Sequence, residues 1–207
     1  FSASHRHHAS IIGAPKFLPS YAGMSFVKEI ENINAFLDKP KKPNLSIIGG
    51  SKVSTKIELL NNLIKYFDTI ILGGAMANTF LRAKKFDIGN SLYEKDFLKN
   101  AINIIEMARD FNCKIVLPID VVCANNLSDK SSIRECDIKN ILSNQMILDI
   151  GSKSTQLITK YIINSRMILW NGPLGAFEHK PFEQSSVEVA KIIKKYSTSL
   201  GISSMAG

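Results

Sequence analysis

Short apolar runs alternate with longer amphipathic patterns through most of the 207-residue chain. Apolar runs rich in Ile, Leu and Val predict strands at residues 45–48, 69–72, 114–117, 146–150 and 167–170, with a last strand beginning at Gly201. Between them, apolar residues at helical spacing predict helices at about residues 54–66, 76–84, 94–111, 155–163 and 184–196. An earlier amphipathic pattern predicts a helix at residues 21–37, which Pro40 and Pro43 end.

The alternation of strands and helices determines the predicted fold class. Parallel strands need helical crossovers, and these helices cover both faces of the sheet. We therefore predict an α/β fold, namely a three-layer, Rossmann-like domain with a mainly parallel sheet flanked by helices on both faces. Ligands of such sheets bind at the carboxyl ends of the strands. The proline-containing turn at residues 39–43 is a predicted domain boundary.

The segment at residues 49–56 has a pattern typical of a phosphate site. Gly49 and Gly50 follow a predicted strand, and Lys52 and Lys56 lie four residues apart on the predicted helix, where they should share one face. Two like charges near a helix N-terminus repel each other, whereas a bound anion would reverse that penalty. The alternative is a solvated lysine face. Neither a G-x-x-x-x-G-K-[ST] nor a G-x-G-x-x-G pattern occurs in the chain.

Other loops after predicted strands also contain candidate ligand-binding residues. Residues 170–178 form a Gly/Pro loop with one carboxylate, Glu178, which suits a nucleoside base and ribose, although an ordinary loop carboxylate is the alternative. The small residues at 73–80 would admit a base or a phosphate, or would allow tight helix packing instead. Asp149 could cap a helix, bind a metal or bind a ligand, and its spacing favours the cap. Asp120 receives no assigned role.

Composition limits the classes of function. The hydrophobic content of 45% is typical of a globular protein, and the net charge of +8 fits polyanionic ligands, so nucleic-acid binding rests on charge alone. Cys113, Cys123 and Cys136 form no C-x-x-C pair, which predicts reduced thiols in a cytosolic protein. No apolar stretch approaches the roughly 20 residues of a membrane span.

The N-terminal segment predicts neither a metal site nor a signal peptide. His5, His7 and His8 have no carboxylate or cysteine near enough in sequence to complete a ligand set, so we predict no metal site. Arg6 is better explained as an anion contact. The segment has no initiator methionine and no signal-peptide apolar core, and we expect a cut end.

A series of segments, in order along the chain, closely resembles phosphoglycerate kinases. The segments are FSASHR (1–6), KFLP (16–19), GGSKVSTKI (49–57), GGAMANTFL (73–81), IGNSLYE (88–94), LPIDVV (117–122), LDIG (148–151) and ILWNGPLGAFE (168–178). The resemblance implies a two-domain enzyme of glycolysis and gluconeogenesis. It transfers a phosphoryl group reversibly between 1,3-bisphosphoglycerate and MgADP, giving 3-phosphoglycerate and MgATP.

The resemblance also implies a domain division and functional residues. Residues 1–20 would end the phosphoglycerate-binding domain, 21–38 would form the interdomain helix, and 39–207 would form a nucleotide-binding domain truncated at its C-terminal end. Lys52 and Lys56 would be catalytic, and Arg6 would contact phosphoglycerate. The implied nucleotide-binding residues are Gly50, Ser51, Lys52, Lys56, Gly73, Gly74, Asn171, Pro173, Gly175, Ala176 and the ribose-binding Glu178.

The resemblance implies partners and departures as well. Mg²⁺ would arrive with ADP or ATP, and the aspartate that usually accompanies it would lie beyond Gly207. The missing N-terminal domain would bind 3-phosphoglycerate or 1,3-bisphosphoglycerate. The full-length protein would be a cytoplasmic monomer that binds neither nucleic acid nor membrane. The family's catalytic arginine would lie before Phe1, so we expect the chain alone to be inactive, and His7 stands where alanine is usual. The alternative is a non-catalytic nucleotide-binding module.

Overall fold

The computed structural model describes residues 6–38 and 40–207, so the N-terminal prediction for His5 lies outside the described residues. Two compact units divide the chain, Phe1–Pro40 and Lys41–Gly207. In the first unit, short helical turns at Ala9–Gly13 and Ala14–Lys16 precede helix α1 (Met24–Asp38). That helix begins three residues later than the pattern predicts.

The second unit contains the alternating elements that the sequence predicts, together with further strands. In chain order they are β1 (Asn44–Ile48), α2 (Ile57–Leu63), β2 (Thr69–Leu72), α3 (Gly74–Ala83), α4 (Leu98–Asp110), β3 (Lys114–Val116), β4 (Asp120–Ala124), β5 (Arg134–Asp137), β6 (Met146–Ile150), α5 (Ser152–Ile163), β7 (Met167–Asn171), α6 (Gln184–Leu200) and β8 (Ser203–Ala206). In the described part of the chain, no helix is both long and apolar enough to span a membrane.

A five-stranded parallel sheet with the order β3-β2-β1-β7-β8 forms the centre of this unit. β1 is buried along its whole length because helices cover both faces of the sheet. On one face, Leu45 and Ile47 pack in a cluster that also contains Ile158 of α5 and Val189 of α6. Alternation along the strand points Ile48 to the opposite face, where it is also fully buried. The predicted three-layer α/β fold is confirmed.

A second sheet corrects one part of the prediction. Residues 146–150 form a strand as predicted, but β6 belongs to a three-stranded antiparallel sheet of order β5-β4-β6. β4 and β5 were not predicted. Only residues 117–119 separate β3 from β4, which is too short for a crossover to a parallel neighbour, so the chain leaves the first sheet there. Buried Val121 and Cys123 form a small core under this second sheet.

The start of α2 corrects a second prediction. The helix begins at Ile57, so Lys52 and Lys56 precede it and do not share a helix face. Residues 54–56 form a turn in which the Lys56 N–H donates to Val53 O over 2.8 Å. At the other end of the unit, Gly201 adopts φ 65° and ends α6, so the last strand begins at Ser203 and not at Gly201.

The cysteines agree with the prediction. Cys113, Cys123 and Cys136 are free thiols. Burial raises the pKa of Cys113 to about 11 and the pKa of Cys123 to about 12. Both thiols therefore remain protonated near neutral pH and serve as small packing groups.

Loops that follow β1, β2 and β7 pack backbone against backbone. The Gly49 N–H donates to Asn171 O over 2.9 Å, and the Gly73 N–H donates to Ile48 O over 2.9 Å. A Cβ on Gly74, whose φ is +65°, would lie 2.7 Å from Gly50 N. Glycine at this position satisfies both a left-handed backbone and a close approach of two loops.

Substitution of Gly74 should cost more free energy of unfolding than substitution of Gly201. Both residues have a φ of +65°, but a Cβ on Gly201 would meet no atom within 4 Å. We expect Gly201→Ala to cost about 1 kcal/mol for the left-handed backbone alone. Gly74→Ala should cost about 1–3 kcal/mol more because it also forces the loops apart. Denaturant unfolding of the two variants measures the difference, and equal losses would contradict the packing argument.

Candidate functional site

A cavity of about 720 Å³ opens at the carboxyl ends of the parallel strands. This volume lies in the range of small-molecule sites. Predicted nucleotide-binding residues line much of it, namely Gly50, Ser51, Gly74, Pro173, Gly175, Ala176 and Glu178. Residues from three separate loops are thus brought together at the sheet edge where ligands of α/β folds bind.

The cavity has an apolar side that sequence reasoning missed. Its walls include Leu92, Val121, Met146 and Leu148, from the segment after α3 and from the antiparallel sheet. Leu92, Val121 and Leu148 lie in segments that carry the family resemblance, but none of the four was predicted as a ligand-binding residue, and β4 was not predicted as a strand. The resulting site has apolar walls and a few polar groups at its edge, which suits a flat heterocycle with attached hydroxyl groups. Glu178 is exposed at this edge.

Other predicted site residues lie beside the cavity. Gly73 does not line it, and a Cβ there would lie 3.2 Å from Leu174 Cα, which supports tight packing as the reason for this glycine. Lys56 Nζ donates a hydrogen bond to Asn171 Oδ1 at the end of β7. A Cβ on Gly50 would lie 3.9 Å from Lys56 Cε, so the lysine side chain passes next to a cavity-lining glycine. Lys52 is exposed on the same turn.

The first turn of α3 joins the loops around the cavity. The Gly74 N–H donates to Leu174 O over 2.8 Å, and the Met76 N–H donates to Gly50 O over 3.0 Å. These two bonds connect the loop after β2 to the loops after β7 and β1. The tight packing considered for the small residues at 73–80 is therefore present; Gly74 and Ala75 also line the cavity, and their contact with a base or a phosphate stays a prediction.

The Gly/Pro loop is attached to the elements behind it. The Leu174 N–H donates to Ser186 Oγ over 2.9 Å, and the Ala176 N–H donates to Leu148 O over 2.7 Å. A Cβ on Gly175 would collide with the carboxyl group of Asp149. This wall of the cavity is therefore fixed in place by α6 and β6 before any ligand arrives.

Two buried carboxyl groups cap helices that are distant in sequence. Asp149 accepts hydrogen bonds from Ser185 N over 3.1 Å and from Ser185 Oγ, so it caps α6. Asp120 accepts from Lys153 N over 2.8 Å and Ser154 N over 2.7 Å, so it caps α5. The spacing of Asp149 favoured a cap, but the helix that it caps is α6, whereas the next helix along the chain, α5, is capped by Asp120, to which no role was assigned.

The position of Asp149 alters its acidity. Burial raises the pKa of this carboxyl group to about 6, hydrogen bonds from Ser185 and Ile150 limit the rise, and the nearby charge of Glu183 adds to it. The same side chain lines the cavity behind Gly175. The Asp149 carboxyl group therefore gains or loses its proton within the pH range in which the protein would be assayed.

Asp149→Asn should change how stability depends on pH. A raised pKa means that the folded protein holds more protons than the unfolded chain between about pH 4 and 6. Protonated Asp149 therefore adds about 3 kcal/mol to the free energy of unfolding at low pH, and this contribution is lost as the pH rises through about 6. Urea unfolding should therefore show the wild type gaining stability relative to Asp149→Asn between pH 6 and 4, in the range set by that pKa.

The matched control is Asp110→Asn, an exposed carboxylate at the end of α4. Its stability relative to wild type should change less over the same pH range. A difference between wild type and Asp149→Asn that stays constant with pH would contradict the assignment of this proton to Asp149.

The remaining predictions concern Arg6 and metals. Arg6 lies in the first unit, and its contact with phosphoglycerate stays a prediction. Among the described residues, no group of three or more His, Cys, Asp or Glu side chains is placed to hold a metal ion.

Comparison with known proteins assigns the family. The family described as phosphoglycerate kinase matches residues 1–207. The phosphoglycerate kinase of Rhizobium meliloti (strain 1021) is 46% identical over 191 residues, which cover 92% of this chain and 48% of that protein. The enzyme of Caulobacter vibrioides (strain NA1000 / CB15N) is 42% identical over 207 residues, which cover all of this chain and 52% of that protein.

Solved structures agree. The phosphoglycerate kinase from Coxiella burnetii has a TM-score of 0.83 at 37% identity, covering 90% of this chain and 47% of that one. The enzyme from Pyrococcus horikoshii OT3 has a TM-score of 0.77 at 27% identity, covering 92% and 49%. The chain thus spans about half the length of the relatives that it matches. From its cavity, its fold and a match along its whole length, the chain belongs to the phosphoglycerate kinase family.

Proposed function

We propose that this chain provides the nucleotide-binding half of a phosphoglycerate kinase. The reaction is the reversible transfer of a phosphoryl group from 1,3-bisphosphoglycerate to ADP, which yields 3-phosphoglycerate and ATP. The observation that supports it best is the cavity at the carboxyl ends of β1, β2 and β7, because its lining and the adjoining lysines combine features for a base, a ribose and phosphates. ATP binding, a role in glycolysis and a cytoplasmic location are parts of the same proposal.

The nucleoside would occupy the cavity itself. The base would lie between the apolar wall, which includes Leu92 and Leu148, and the backbone of the Gly/Pro loop at Gly175. Glu178 at the edge would accept hydrogen bonds from the ribose hydroxyl groups. This orientation directs the phosphates toward Gly50 and Ser51, and so toward the lysines that follow them in sequence.

Lys52 and Lys56 would neutralise the phosphates and the transferred group. Phosphoryl transfer requires alignment of the attacking and leaving oxygens and stabilisation of spread negative charge, with little covalent work for the protein. An ammonium group is a compact charge on a flexible stem, which allows it to follow a moving phosphoryl group. The hydrogen bond from Lys56 to Asn171 holds that stem near the cavity. Mg²⁺ bound to the nucleotide phosphates would supply further charge.

The acyl-phosphate substrate would involve the first unit. Arg6 offers a guanidinium group that matches carboxylate or phosphate oxygens. α1 would act as the interdomain helix, and closure about it would bring the two substrates together and exclude water. The full-length protein would act as a monomer without nucleic acid or membrane partners.

Lysine and glutamate variants should have separable effects on ligand binding. Lys52→Ala and Lys56→Ala should each weaken ADP binding about 10- to 100-fold, because a charge-assisted hydrogen bond to phosphate contributes about 1.5–3 kcal/mol. Their affinity for adenosine, which has no phosphate, should stay within about twofold of wild type. Glu178→Ala should weaken both ligands by a similar factor because it contacts the ribose. Isothermal titration calorimetry on the 207-residue chain measures all of these affinities.

Lys65→Ala is the matched control, since Lys65 is an exposed lysine just beyond α2. It removes the same charge and should leave ADP affinity unchanged. An equal loss in the Lys65 variant would indicate a general effect of net charge. Absence of ADP binding by the wild-type chain would count against the proposed nucleotide site.

Catalysis should depend on the rest of the enzyme. Because the chain spans about half the length of its relatives, we expect the 207 residues alone to show no measurable transfer. A chimera in which this chain replaces the matching half of the Rhizobium meliloti enzyme should make ATP from ADP and 1,3-bisphosphoglycerate. Lys56→Ala in that chimera should lower kcat at least about tenfold. A folded chimera that binds ADP but lacks turnover would favour a non-catalytic nucleotide-binding module instead.

A further inference from the structure

The lysine turn, defined as residues 51–56, has few internal constraints on its shape. Outside the regular helix, it contains the Lys56 N–H to Val53 O bond of 2.8 Å and a bond of 3.0 Å from Thr55 Oγ1 to Lys52 O. Val53 is fully buried and anchors the turn to the core. Lys52 is exposed and Lys56 is half-buried, so other groups must fix where the two ammonium groups point.

Glu94 holds this turn from a segment forty residues further along the chain. Its Oε2 accepts from Ser54 N over 2.9 Å, and its Oε1 accepts from Ser54 Oγ over 2.5 Å. Ser54 lies midway between the two lysines in sequence. A single carboxylate therefore accepts hydrogen bonds from both the backbone and the side chain of the residue at the centre of the turn.

Glu94 is itself tied to α3. Its N–H donates to Thr79 Oγ1 over 3.0 Å, and Asn78 Nδ2 donates to Leu92 O over 3.0 Å. Asn78 and Thr79 are fully buried on α3, so they offer a rigid support. Leu92 and Asn78 also line the cavity. The path from α3 through Glu94 to Ser54 links the nucleoside cavity to the lysine turn.

The carboxylate is also matched to this environment electrostatically. Burial raises the pKa of Glu94. Hydrogen bonds from Ser54 and Val53 and the charge of Lys52 together lower it by more than burial raises it, so the pKa lies below the ordinary value. Glu94 is therefore ionised at neutral pH. Its negative charge interacts favourably with the charge of Lys52.

We propose that Glu94 is a positioning residue that sets the lysine turn against the phosphates of the nucleotide. This inference rests on the proposed function. Glu94 contacts neither Lys52 nor Lys56 through a hydrogen bond to their ammonium groups in the described part of the chain, and it acts through Ser54. The two hydrogen bonds from Ser54 to Glu94 fix the turn in the free protein, so nucleotide binding need not include the entropy cost of ordering it.

The test compares two ligands that differ only in their phosphates. In the 207-residue chain, Glu94→Ala should weaken ADP binding about tenfold and leave adenosine binding within about twofold of wild type. Glu94→Gln should recover most of the ADP affinity, because its amide can accept from Ser54 N–H and donate to Ser54 Oγ. Glu106→Ala, an exposed glutamate on α4, is the control and should change neither affinity.

A second set of variants tests whether Glu94 acts through Ser54. Ser54→Ala keeps the backbone N–H and removes one of the two bonds, so its loss of ADP affinity should be smaller than that of Glu94→Ala. The double variant should lose no more ADP affinity than Glu94→Ala alone, because both substitutions remove hydrogen bonds between Ser54 and Glu94. Full additivity of the two losses would overturn the assignment.

Each other outcome decides between the inference and the proposed function. Equal weakening of ADP and adenosine by Glu94→Ala would show a general structural role and overturn the positioning role. Unchanged ADP binding in that variant would also overturn it, while leaving the nucleotide site intact. A wild-type chain that binds ADP no more tightly than adenosine would instead overturn the proposed phosphate site, and the role of Glu94 with it.

Discussion

Backbone-to-backbone packing at the ends of β1, β2 and β7 is the constraint on which the rest of the site depends. Parallel strands in adjacent register bring their carboxyl ends to one edge, and there the loops approach so closely that a Cβ on Gly172 would lie 2.9 Å from Gly49 C. The absence of side chains allows Gly49, Gly73 and Gly74 to exchange hydrogen bonds with neighbouring strand ends and loops. These contacts fix the three loops together, and residues of all three loops line the cavity.

Three carboxyl groups then connect elements that are far apart along the chain. Asp120 caps α5, Asp149 caps α6 and Glu94 grips the lysine turn, each through backbone N–H groups more than thirty residues away. A carboxylate that accepts from several N–H groups has little freedom to move, because each oxygen is engaged. Such contacts add long-range order to loops whose own sequences contain few apolar anchors. They explain how loops rich in glycine can still present a defined surface.

The sequence predicts the parallel core well because that core depends on local patterns. Buried runs such as residues 45–48 and the helices between them carry their periodicity in adjacent residues, and their layers follow from crossover geometry. The antiparallel sheet depends on tertiary pairing, and the half-exposed, charged residues of β5 show no apolar alternation, so β5 was missed. The prediction that Lys52 and Lys56 share a helix face was also wrong. Helical spacing continues through the lysine turn, but the Lys56 N–H donates to Val53 O, three residues back, so a tight turn precedes the helix, which begins at Ile57. Apolar cavity residues such as Leu148 likewise have meaning only once the sheets are placed.

The first turn of α3 has a consequence for how an anion can be held at this edge of the sheet. A helix N-terminus ordinarily offers free amides to a phosphate. Here the Gly74 and Met76 amides already donate to Leu174 O and Gly50 O, so they serve the architecture of the loops. In the proposed nucleotide site, the phosphate charge would therefore be met chiefly by ammonium groups, of which that of Lys52 is exposed to solvent. Ions in the surrounding medium screen such charges far more than they screen buried amide dipoles. In the proposed site, ionic strength would therefore change the affinity for a nucleotide's phosphates more than it does in sites built from backbone amides.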